Sequence, residues 1–367
     1  MSSDARREDV LRVLRTVQDP DLHRDLVTLG MIKDLAIDSD RVSFTIDLTT
    51  PACPVRDSFK DQAEQAVKAL PWVQGVSVDM QATTRTGRGP GNEQLIPHVK
   101  NVIAIASGKG GVGKSTTSVN VALALADTGA KVGLLDGDIY GPNIPLMMGL
   151  KEKPQLQSEG GKIIPSRSYG VRLMSIGFFL DEDNPVIWRG PMVHGAIQQF
   201  LRDVDWGDLD YLVVDLPPGT GDAPLSLSQL IPLSGVVIVT TPQDVALQDV
   251  AKGMAMFRRL EVPVLGVVEN MSYFICPGCS ERHEIFGQGG GERIAAQFKV
   301  PFLGKIPLQP AVREGGDQGR PIVVTQPESP EAAAFREVAG AIARQVSILA
   351  VAGQGAFVPA MTLTIKK

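Results

Sequence analysis

A glycine-rich segment between a strand-like run and a helix-like run constrains this chain more than any other feature. Residues 107–117 read SGKGGVGKSTT, in which Gly108 is followed, after four residues, by Gly113-Lys114-Ser115. The apolar run VIAIA precedes the segment and SVNVALALAD follows it, so the segment connects a buried strand to a helix. Glycines let successive backbone N–H groups turn inward around a phosphate, and the N-terminus of the helix adds positive charge. The segment therefore predicts a P-loop and a nucleotide site.

Each residue type in this loop suggests a particular contact with a nucleoside triphosphate. We expect the Lys114 ammonium to reach the β- and γ-phosphates, and the Ser115 hydroxyl to ligate Mg²⁺, which prefers hard oxygen donors. The remaining predicted nucleotide-binding positions of the loop are Gly108, Lys109, Gly110, Gly111, Val112, Gly113 and Thr116. An unrelated glycine-rich turn is the competing interpretation, and the flanking strand and helix disfavour it. ATP with Mg²⁺ is the expected ligand.

Short apolar runs alternate with helix-like segments along the chain on both sides of this loop. The runs are VIAIA, KVGLLD, RLMSIG, YLVVD, GVVIVTT, PVLGVVE and PFLGKIP. Near-continuous apolar strands separated by helices are typical of a parallel sheet that is covered on both faces. We therefore predict a doubly wound, mostly parallel α/β domain over residues 99–350.

The chain before this domain has a pattern of its own. Helical spacing over residues 8–17, two strand-like runs, a helix over about 57–70 and the alternating run VQGVSVDM predict a small α/β domain over residues 1–81. The polar stretch TTRTGRGPGNEQ predicts a linker over residues 82–98. Residues 351–367 show no clear periodicity, so the sequence leaves the structure of this tail open.

Charge and hydropathy exclude some classes of function. The formal net charge is −5, so no global basic field favours binding to nucleic acid or to an anionic membrane. No apolar run approaches the roughly 20 residues of a membrane span, and the start MSSDARRED lacks the apolar core of a secretory signal. We expect a cytoplasmic protein without a nucleic-acid or membrane partner.

Two of the three cysteines form a Cys276-Pro-Gly-Cys279 pair after the run ENMSYFI. Two thiolates separated by two residues can bind one soft metal centre, but they are half of a four-ligand set. Cys53 is the only other cysteine and His283 the only nearby histidine, so one chain provides poorly for a closed site. A two-fold homodimer brings four thiolates to its axis.

The first variable position of the P-loop is a second cation, Lys109. The resulting sequence, Lys-Gly-Gly-Val-Gly-Lys, resembles the deviant Walker A loop of the ParA/MinD ATPases, in which the extra lysine reaches the partner's nucleotide across a dimer interface. The resemblance implies a nucleotide-sandwich homodimer with catalytic roles for Lys109, Lys114 and Asp138. A surface lysine without such a role is the alternative.

Polar residues also follow three of the predicted strands, at the edge where open parallel sheets bind ligands. Asp138 follows KVGLLD, Asp215 ends YLVVD, and Asn270 follows PVLGVVE. The same resemblance implies that Asp138 orients the attacking water, that Asp215 and Asp138 join Ser115 around Mg²⁺, and that Asn270 contacts the adenine. Helix caps or solvated turn residues are the alternatives.

Longer motifs resemble the Mrp/ApbC-type iron-sulfur cluster carrier ATPases across residues 99–325. They are SGKGGVGKST, GLLDGDIYGPNIP, WRGPMV, DYLVVDLPPGTGD, ENMSYFICPGC, IFGQGGG and REGGDQGRPIV. The resemblance implies an ATPase whose homodimer holds a bridging [4Fe-4S] cluster on Cys276 and Cys279 of both subunits and passes it to apo-proteins. Asn143 and Gln309 depart from the family pattern, and we expect them to affect nucleotide contacts rather than phosphate or thiolate chemistry.

The N-terminal motifs DPDLHRDLVTLGMI and TTPACP resemble a small domain that recurs in iron-sulfur assembly factors. Its Cys53 is either a reactive thiol that assists cluster transfer or a buried structural cysteine.

Three other interpretations remain. A positioning or partitioning ATPase usually has a basic surface or a basic amphipathic terminal helix, whereas this chain is acidic and its TLTIKK end is short. Structural zinc fits four thiolates as well as a cluster does. A redox dithiol is the weakest of the three interpretations, because thioredoxin-like cysteine pairs lie at the start of a helix that follows a strand, in a different fold.

Overall fold

The structure is a computed structural model that describes residues 3–52, 56–87, 95–139, 141–150, 154, 158–179 and 190–353. Parts of several predicted features lie outside the described residues: Cys53 and Pro54 of TTPACP, residues 88–94 of the predicted linker, Tyr140 of GLLDGDIYGPNIP, Trp188 and Arg189 of WRGPMV, and residues 354–367 of the predicted tail. Contacts divide the chain into two units. One comprises residues 1–87 with the segment from Arg344 onward, and the other comprises residues 88–343.

The first unit is a three-stranded sheet covered by helices. Its elements are α1 (Ser3–Leu14), β1 (Gln18–Asp19), β2 (Arg24–Asp25), β3 (Ile32–Asp38), β4 (Arg41–Leu48), α2 (Arg56–Lys68) and β5 (Gly75–Ala82). Strand β4 lies in the centre, antiparallel to β3 and parallel to β5, and α2 makes the crossover that the parallel pair needs. The side chains of Phe59, Ala63 and Val67 repeat every four residues and are buried together on one face of α2.

The first helix differs from the sequence prediction of residues 8–17. It spans Ser3–Leu14, because the chain then turns to pair Gln18 and Asp19 with Asp25 and Arg24. Its buried residues Val10 and Leu14 join the core of the unit.

The second unit is built on a large sheet. Its elements in chain order are β6 (Val99–Ser107), α3 (Lys114–Asp127), β7 (Val132–Asp136), α4 (Ile144–Met147), β8 (Ser158–Glu159), β9 (Lys162–Ile163), β10 (Ser166–Ser168), β11 (Val171–Ser175), α5 (Gly190–Asp203), β12 (Leu209–Asp215), α6 (Asp222–Leu230), β13 (Gly235–Thr240), α7 (Asp244–Arg259), β14 (Val264–Glu269), β15 (Phe274–Ile275), β16 (Arg282–His283), α8 (Gly290–Phe298), β17 (Phe302–Lys305), α9 (Pro310–Gln318), α10 (Ile322–Thr325) and α11 (Pro330–Gly353). The short strands β8, β9, β10, β15 and β16 were not predicted from the sequence.

The large sheet has eight strands in the order β10-β11-β7-β12-β6-β13-β14-β17. All neighbours are parallel except β10 and β11, so the predicted mostly parallel sheet is confirmed. Strand β6 is central, and the chain builds the sheet outward from both of its sides through β12 and β13. The loop after β6 therefore lies at the point where the direction of winding changes, which is where open α/β sheets bind ligands.

Helix α11 carries the chain from the second unit into the first. It spans Pro330–Gly353, so residues 351–353 of the predicted tail form its last turn, and Val351 packs against the core of the first unit. Within the described ranges, no helix combines the length and the apolar character needed to cross a bilayer.

Candidate functional site

The backbone of the P-loop is compatible only with glycine at several positions. Gly111 and Gly113 have φ angles of +79° and +80°, in the left-handed region that favours glycine. A Cβ atom on Gly108 would lie 2.5 Å from the backbone carbonyl carbon of Asp249, and one on Gly113 would collide with the side-chain amide of Asn270. The loop is therefore held between the start of α3, helix α7 and the end of β14.

Lys114, at the start of α3, lies in a buried cluster of charges. Its Nζ is 2.7 Å from Asp215 Oδ2 and 3.3 Å from Asp138 Oδ2. Asp215 also accepts hydrogen bonds from Ser115 Oγ and Ser118 Oγ, each at 2.6 Å. The carboxylate of Asp215 is fully buried, so it depends on these donors for its stability as a charge. The ends of β7 and β12 thus bring together the predicted Lys114, Ser115, Asp138 and Asp215.

Asp136 adds a second fully buried carboxyl group beside this cluster. Ser175 Oγ donates to it at 2.8 Å and the Asp138 N–H donates to it at 3.2 Å. Burial, reinforced by the negative charge of Asp215, raises the pKa of Asp136 to about 8, and the Ser175 hydrogen bond and Lys114 oppose this shift only in part. Asp136 is therefore mainly protonated at neutral pH. No motif assigned a role to Asp136, and the sequence signal for it was a pair of acids two residues apart at the end of one strand.

A cavity of about 660 Å³ opens above the loop, a volume typical of small-molecule sites. The P-loop side of its wall includes Lys109, Gly110, Gly111, Gly113, Lys114, Ser115, Thr116 and Asp138. The rest of its lining includes Asn143, Asn270, Pro307, Leu308, Gln309, Val312 and Arg313. The residues predicted to contact the phosphates and the base therefore line the same cavity. Asn143 and Gln309, the two residues that depart from the family pattern, line it as well.

Asn270 connects the end of β14 to the P-loop. Its Nδ2 donates to the Val112 carbonyl oxygen at 2.9 Å, and its backbone N–H donates to Thr240 O at 2.8 Å. The resemblance to the ParA/MinD ATPases implies an adenine contact for Asn270. The structure places it on the cavity wall and gives one of its amide hydrogens to the loop that surrounds the phosphates.

The cysteine pair occupies the turn of a small hairpin formed by β15 and β16. The Cys276 N–H donates to Glu281 O at 2.9 Å, and the Ser280 N–H donates to Cys276 O at 2.8 Å, which closes the turn. Cys276 is half-buried and Cys279 is exposed. Hydrogen bonds from the backbone N–H groups of Cys279 and then Gly278 lower the pKa of the Cys276 thiol, which favours the thiolate that binds metals.

The segment that carries this hairpin is bonded at its root to the wall of the nucleotide cavity. Gln309 Nε2 donates to the Ile275 carbonyl oxygen at 3.1 Å, and the Leu308 N–H donates to Tyr273 O at 2.7 Å. Ile275 directly precedes Cys276. Gln309 therefore contacts the backbone next to the thiolate site, in contrast to our expectation that it would concern the nucleotide alone.

Glu269, which no motif singled out, holds both ends of the same segment. Its Oε1 accepts from Ser272 Oγ at 2.5 Å and its Oε2 accepts from the Gly291 N–H at 2.6 Å, while the carboxylate is fully buried. Ser272 begins the segment and Gly291 lies in the first turn of α8, where a helix N-terminus stabilises a carboxylate. A buried acid in a run of apolar strand residues was the only sequence signal for this role.

Comparison with known proteins assigns the chain to a family. The family described as NUBPL iron-transfer P-loop NTPase matches residues 98–343, and a family described as iron-sulfur cluster assembly protein matches residues 7–79. This chain belongs to the iron-transfer P-loop NTPase family. The resemblances inferred from the motifs of both regions are confirmed, and the chain is a P-loop NTPase.

Relatives of similar length cover nearly the whole chain. The iron-sulfur cluster carrier protein of Synechocystis is 54% identical over 345 residues, covering 93% of this chain and 98% of that protein. The carrier protein of Escherichia coli K12 is 42% identical over 345 residues, covering 94% of each. Among solved structures, a nucleotide-binding protein from Archaeoglobus fulgidus in complex with ADP is 39% identical with a TM-score of 0.59, covering 66% of this chain and 95% of that one.

The buried charge cluster generates the first prediction. Replacing Lys114 with Ala should lower steady-state ATP turnover at least about 100-fold, because the developing phosphate charge loses its main cationic partner. Asp215→Asn, which keeps the shape of the side chain but not its charge, should weaken Mg²⁺-dependent turnover. Lys252→Ala, an exposed lysine on α7, is the matched control and should behave as wild type. Thermal unfolding of each variant separates lost chemistry from lost folding, and undiminished turnover in folded Lys114→Ala would remove the P-loop assignment.

Proposed function

We propose that this chain hydrolyses ATP and carries an iron-sulfur cluster, held as [4Fe-4S] between two copies of the chain and delivered to apo-proteins. The observation that carries the proposal is the position of Cys276 and Cys279, at the tip of a hairpin whose root is bonded to the nucleotide cavity. The names of the relatives support the cargo and its delivery, since they include an iron-sulfur cluster carrier protein and an iron-sulfur cluster transfer protein.

The number of thiolates supports a homodimer. Each chain offers two adjacent thiols, while a [4Fe-4S] cluster takes four, and a two-fold axis through the cluster supplies the other two. The exposure of Cys279 is compatible with a cluster that lies between chains. Two large apolar residues are also exposed, Val245 in the first turn of α7 by 68% and Ile285, two residues after β16, by 55%, and they suit a surface that a second copy covers.

The nucleotide chemistry is proposed for the residues around Lys114. Ser115 Oγ and the Asp215 carboxylate, 2.6 Å apart, are hard oxygen donors suited to Mg²⁺ with Asp138 beside them. A bound Mg²⁺ would neutralise the charge of the terminal phosphates. Lys114 would pair with the β- and γ-phosphates, Asp138 would orient the attacking water, and Lys109, on the cavity wall, would reach the nucleotide of the second copy.

Coupling between hydrolysis and cluster loading or release would pass through the root of the hairpin. Gln309 faces the cavity and donates to the carbonyl group that precedes Cys276. Asn270 is bonded to the P-loop and is adjacent to Glu269, which holds Ser272 and Gly291 at the two ends of the cysteine segment. A nucleotide that moves either wall of the cavity would change the position of the thiolates through bonds made to their own segment.

The proposed cargo generates the second prediction. After anaerobic reconstitution, the wild-type chain should hold about four irons for every two chains and sediment as a dimer at concentrations where the metal-free chain dissociates, because the cluster binds only the dimer. Cys276→Ala and Cys279→Ala should each lose both properties, and Cys53→Ala should keep them. Iron and sulfide assays with sedimentation measure this. A monomer with a complete four-iron cluster would refute the bridged carrier.

The proposed role of Lys109 generates the third prediction. Lys109→Ala and Asp138→Asn homodimers should both be inactive. Mixing them in equal amounts should restore about a quarter of wild-type turnover, since half of the dimers are mixed and each has one complete site. A lysine that serves only its own chain predicts no restoration at any mixing ratio. The Lys109→Ala/Asp138→Asn double variant mixed with Asp138→Asn is the control, and it should stay inactive.

The proposed coupling generates the fourth prediction. Gln309→Met keeps the length of the side chain and removes the donor to Ile275. The factor by which ATP changes the rate of cluster release should therefore shrink about 2- to 10-fold. ATP turnover should stay near wild type. Asn143→Ser is the matched control, because Asn143 lines the same cavity without a described hydrogen bond to the hairpin. Transfer of the cluster to an acceptor apo-protein, followed with and without ATP, is the measurement. An unchanged ratio of the two rates in Gln309→Met would contradict the coupling.

A further inference from the structure

A second set of metal-binding groups lies on the same hairpin and shares only Cys279 with the proposed cluster. The Sγ of Cys279, a carboxylate oxygen of Glu281 and an imidazole nitrogen of His283 all lie within 4.8 Å of one another. All three residues are exposed, and His283 Nε2 is 3.8 Å from Glu281 Oε2. The set comes from one chain alone and does not include Cys276.

The backbone of the hairpin places these groups on one side. His283 pairs with Phe274 across the hairpin, and Glu281 accepts the Cys276 N–H through its carbonyl oxygen. Alternate residues of an extended segment point to the same side, so Glu281 and His283 point together toward Cys279. The register is fixed by main-chain hydrogen bonds and therefore does not depend on a bound metal.

The nearby positive charge points away from the set. The Arg282 guanidinium lies 4.1 Å from the centroid of the Tyr273 ring, and its Nε donates to Glu284 Oε1 at 3.0 Å. Arg282 is thus paired with Glu284, on the side of the hairpin opposite to Glu281 and His283. The thiol of Cys279, the carboxylate of Glu281 and the imidazole of His283 therefore face no competing cation from Arg282.

We propose that a single chain binds one Zn²⁺ ion on Cys279, Glu281 and His283. Zinc takes sulfur, nitrogen and oxygen ligands in tetrahedral sites, and three protein ligands with an open fourth position are a common arrangement. Zinc bonds of about 2.0–2.3 Å require ligand atoms roughly 3.3–3.7 Å apart, so these exposed side chains need to close by about 1 Å. Mg²⁺ and Ca²⁺ do not suit this set, because a thiolate and an imidazole are soft or borderline donors.

One consequence of the zinc site rests on the proposed function. Cys279 serves the zinc ion in one chain and the cluster between two chains, and it serves one of them at a time. A chain whose Cys279 binds Zn²⁺ therefore has no free Cys279 thiolate for the cluster. Zinc-loaded chains do not form the dimer that the cluster bridges. The nucleotide cavity shares none of the three ligands, so Zn²⁺ bound on the hairpin leaves the P-loop available.

Titration of the metal-free full chain with Co²⁺, without nucleotide and without oxygen, tests the site. Because Zn²⁺ has no d–d spectrum, Co²⁺ is the optical probe and Zn²⁺ the competitor that displaces it. We expect one Co²⁺ per chain, a thiolate-to-cobalt charge-transfer band, and a monomer in sedimentation. Cys276→Ala should retain this binding at one Co²⁺ per chain, whereas a four-thiolate site between two chains would lose it.

Variants of the hairpin identify the ligands. His283→Ala and Glu281→Gln should each weaken Co²⁺ binding by at least about 10-fold, since loss of groups that only support a ligand already costs that much. Glu284→Gln is the matched control, because the same substitution three residues on removes an acid that pairs with Arg282. Half a Co²⁺ per chain in a dimer, with equal loss in Cys276→Ala and Cys279→Ala and none in His283→Ala, would overturn the single-chain site. Absence of Co²⁺ binding would overturn it as well.

Cluster reconstitution separates this inference from the proposed function. One equivalent of Zn²⁺ added first should lower cluster content in wild type but not in His283→Ala, which keeps both cysteines. Equal cluster content with and without Zn²⁺ in wild type would overturn the exclusion. A chain that forms no cluster under either condition yet binds one Co²⁺ through His283 would sink the proposed function and leave the zinc site standing.

Discussion

A buried lysine shared by two carboxylates determines the arrangement at the carboxyl edge of the large sheet. Lys114 is paired with Asp215 and Asp138 in a largely buried position, and loss of one partner of a buried pair costs about 3–5 kcal/mol. The neighbouring Asp136, protonated at neutral pH, avoids adding a third buried negative charge. The positive charge of Lys114 is shared by the carboxylates of Asp215 and Asp138. A bound phosphate that pairs with Lys114 therefore leaves Asp215 without its cation, and another cation has to replace it. This is a physical reason for nucleotide and Mg²⁺ to bind together in the proposed ATPase.

The end of β14 connects this charge cluster to the hairpin that carries the two cysteines. Two adjacent residues have separate tasks there: Asn270 bonds to the P-loop, and Glu269 bonds to both ends of the cysteine segment. Because adjacent residues of a strand point to opposite sides, one strand end is able to hold two different loops at once. Gln309, which also lines the cavity, adds a third connection through its bond to the Ile275 carbonyl oxygen. The two proposed activities, nucleotide hydrolysis and cluster transfer, thus share one small region of backbone.

The fold could be predicted from the sequence because its signals are local. The strands β6, β12 and β13 are buried along nearly their whole length, so they appear as continuous apolar runs, and the P-loop is a single contiguous segment. The raised pKa of Asp136 could not be predicted, since it depends on Asp215, which is distant in sequence. The same holds for Glu269 and Gln309, whose partners come from other elements. The resemblance did single out Gln309, but at a position associated with the nucleotide, so it did not point to the bond with Ile275.

The two cysteines differ in a way that suits a carrier better than a permanent metal site. Cys276 is half-buried and receives backbone hydrogen bonds that favour its thiolate, whereas Cys279 is exposed and lies beside Glu281 and His283. A structural site normally buries all of its ligands and gives each one a fixed partner. Here one thiolate is fixed to the segment that Gln309 and Glu269 hold, and the other has alternative groups at hand. Small movements at the root of the hairpin would therefore change the separation of the two sulfur atoms without repacking the core. In the proposed carrier, a site with one fixed and one exchangeable ligand would release its cluster more readily than a rigid one.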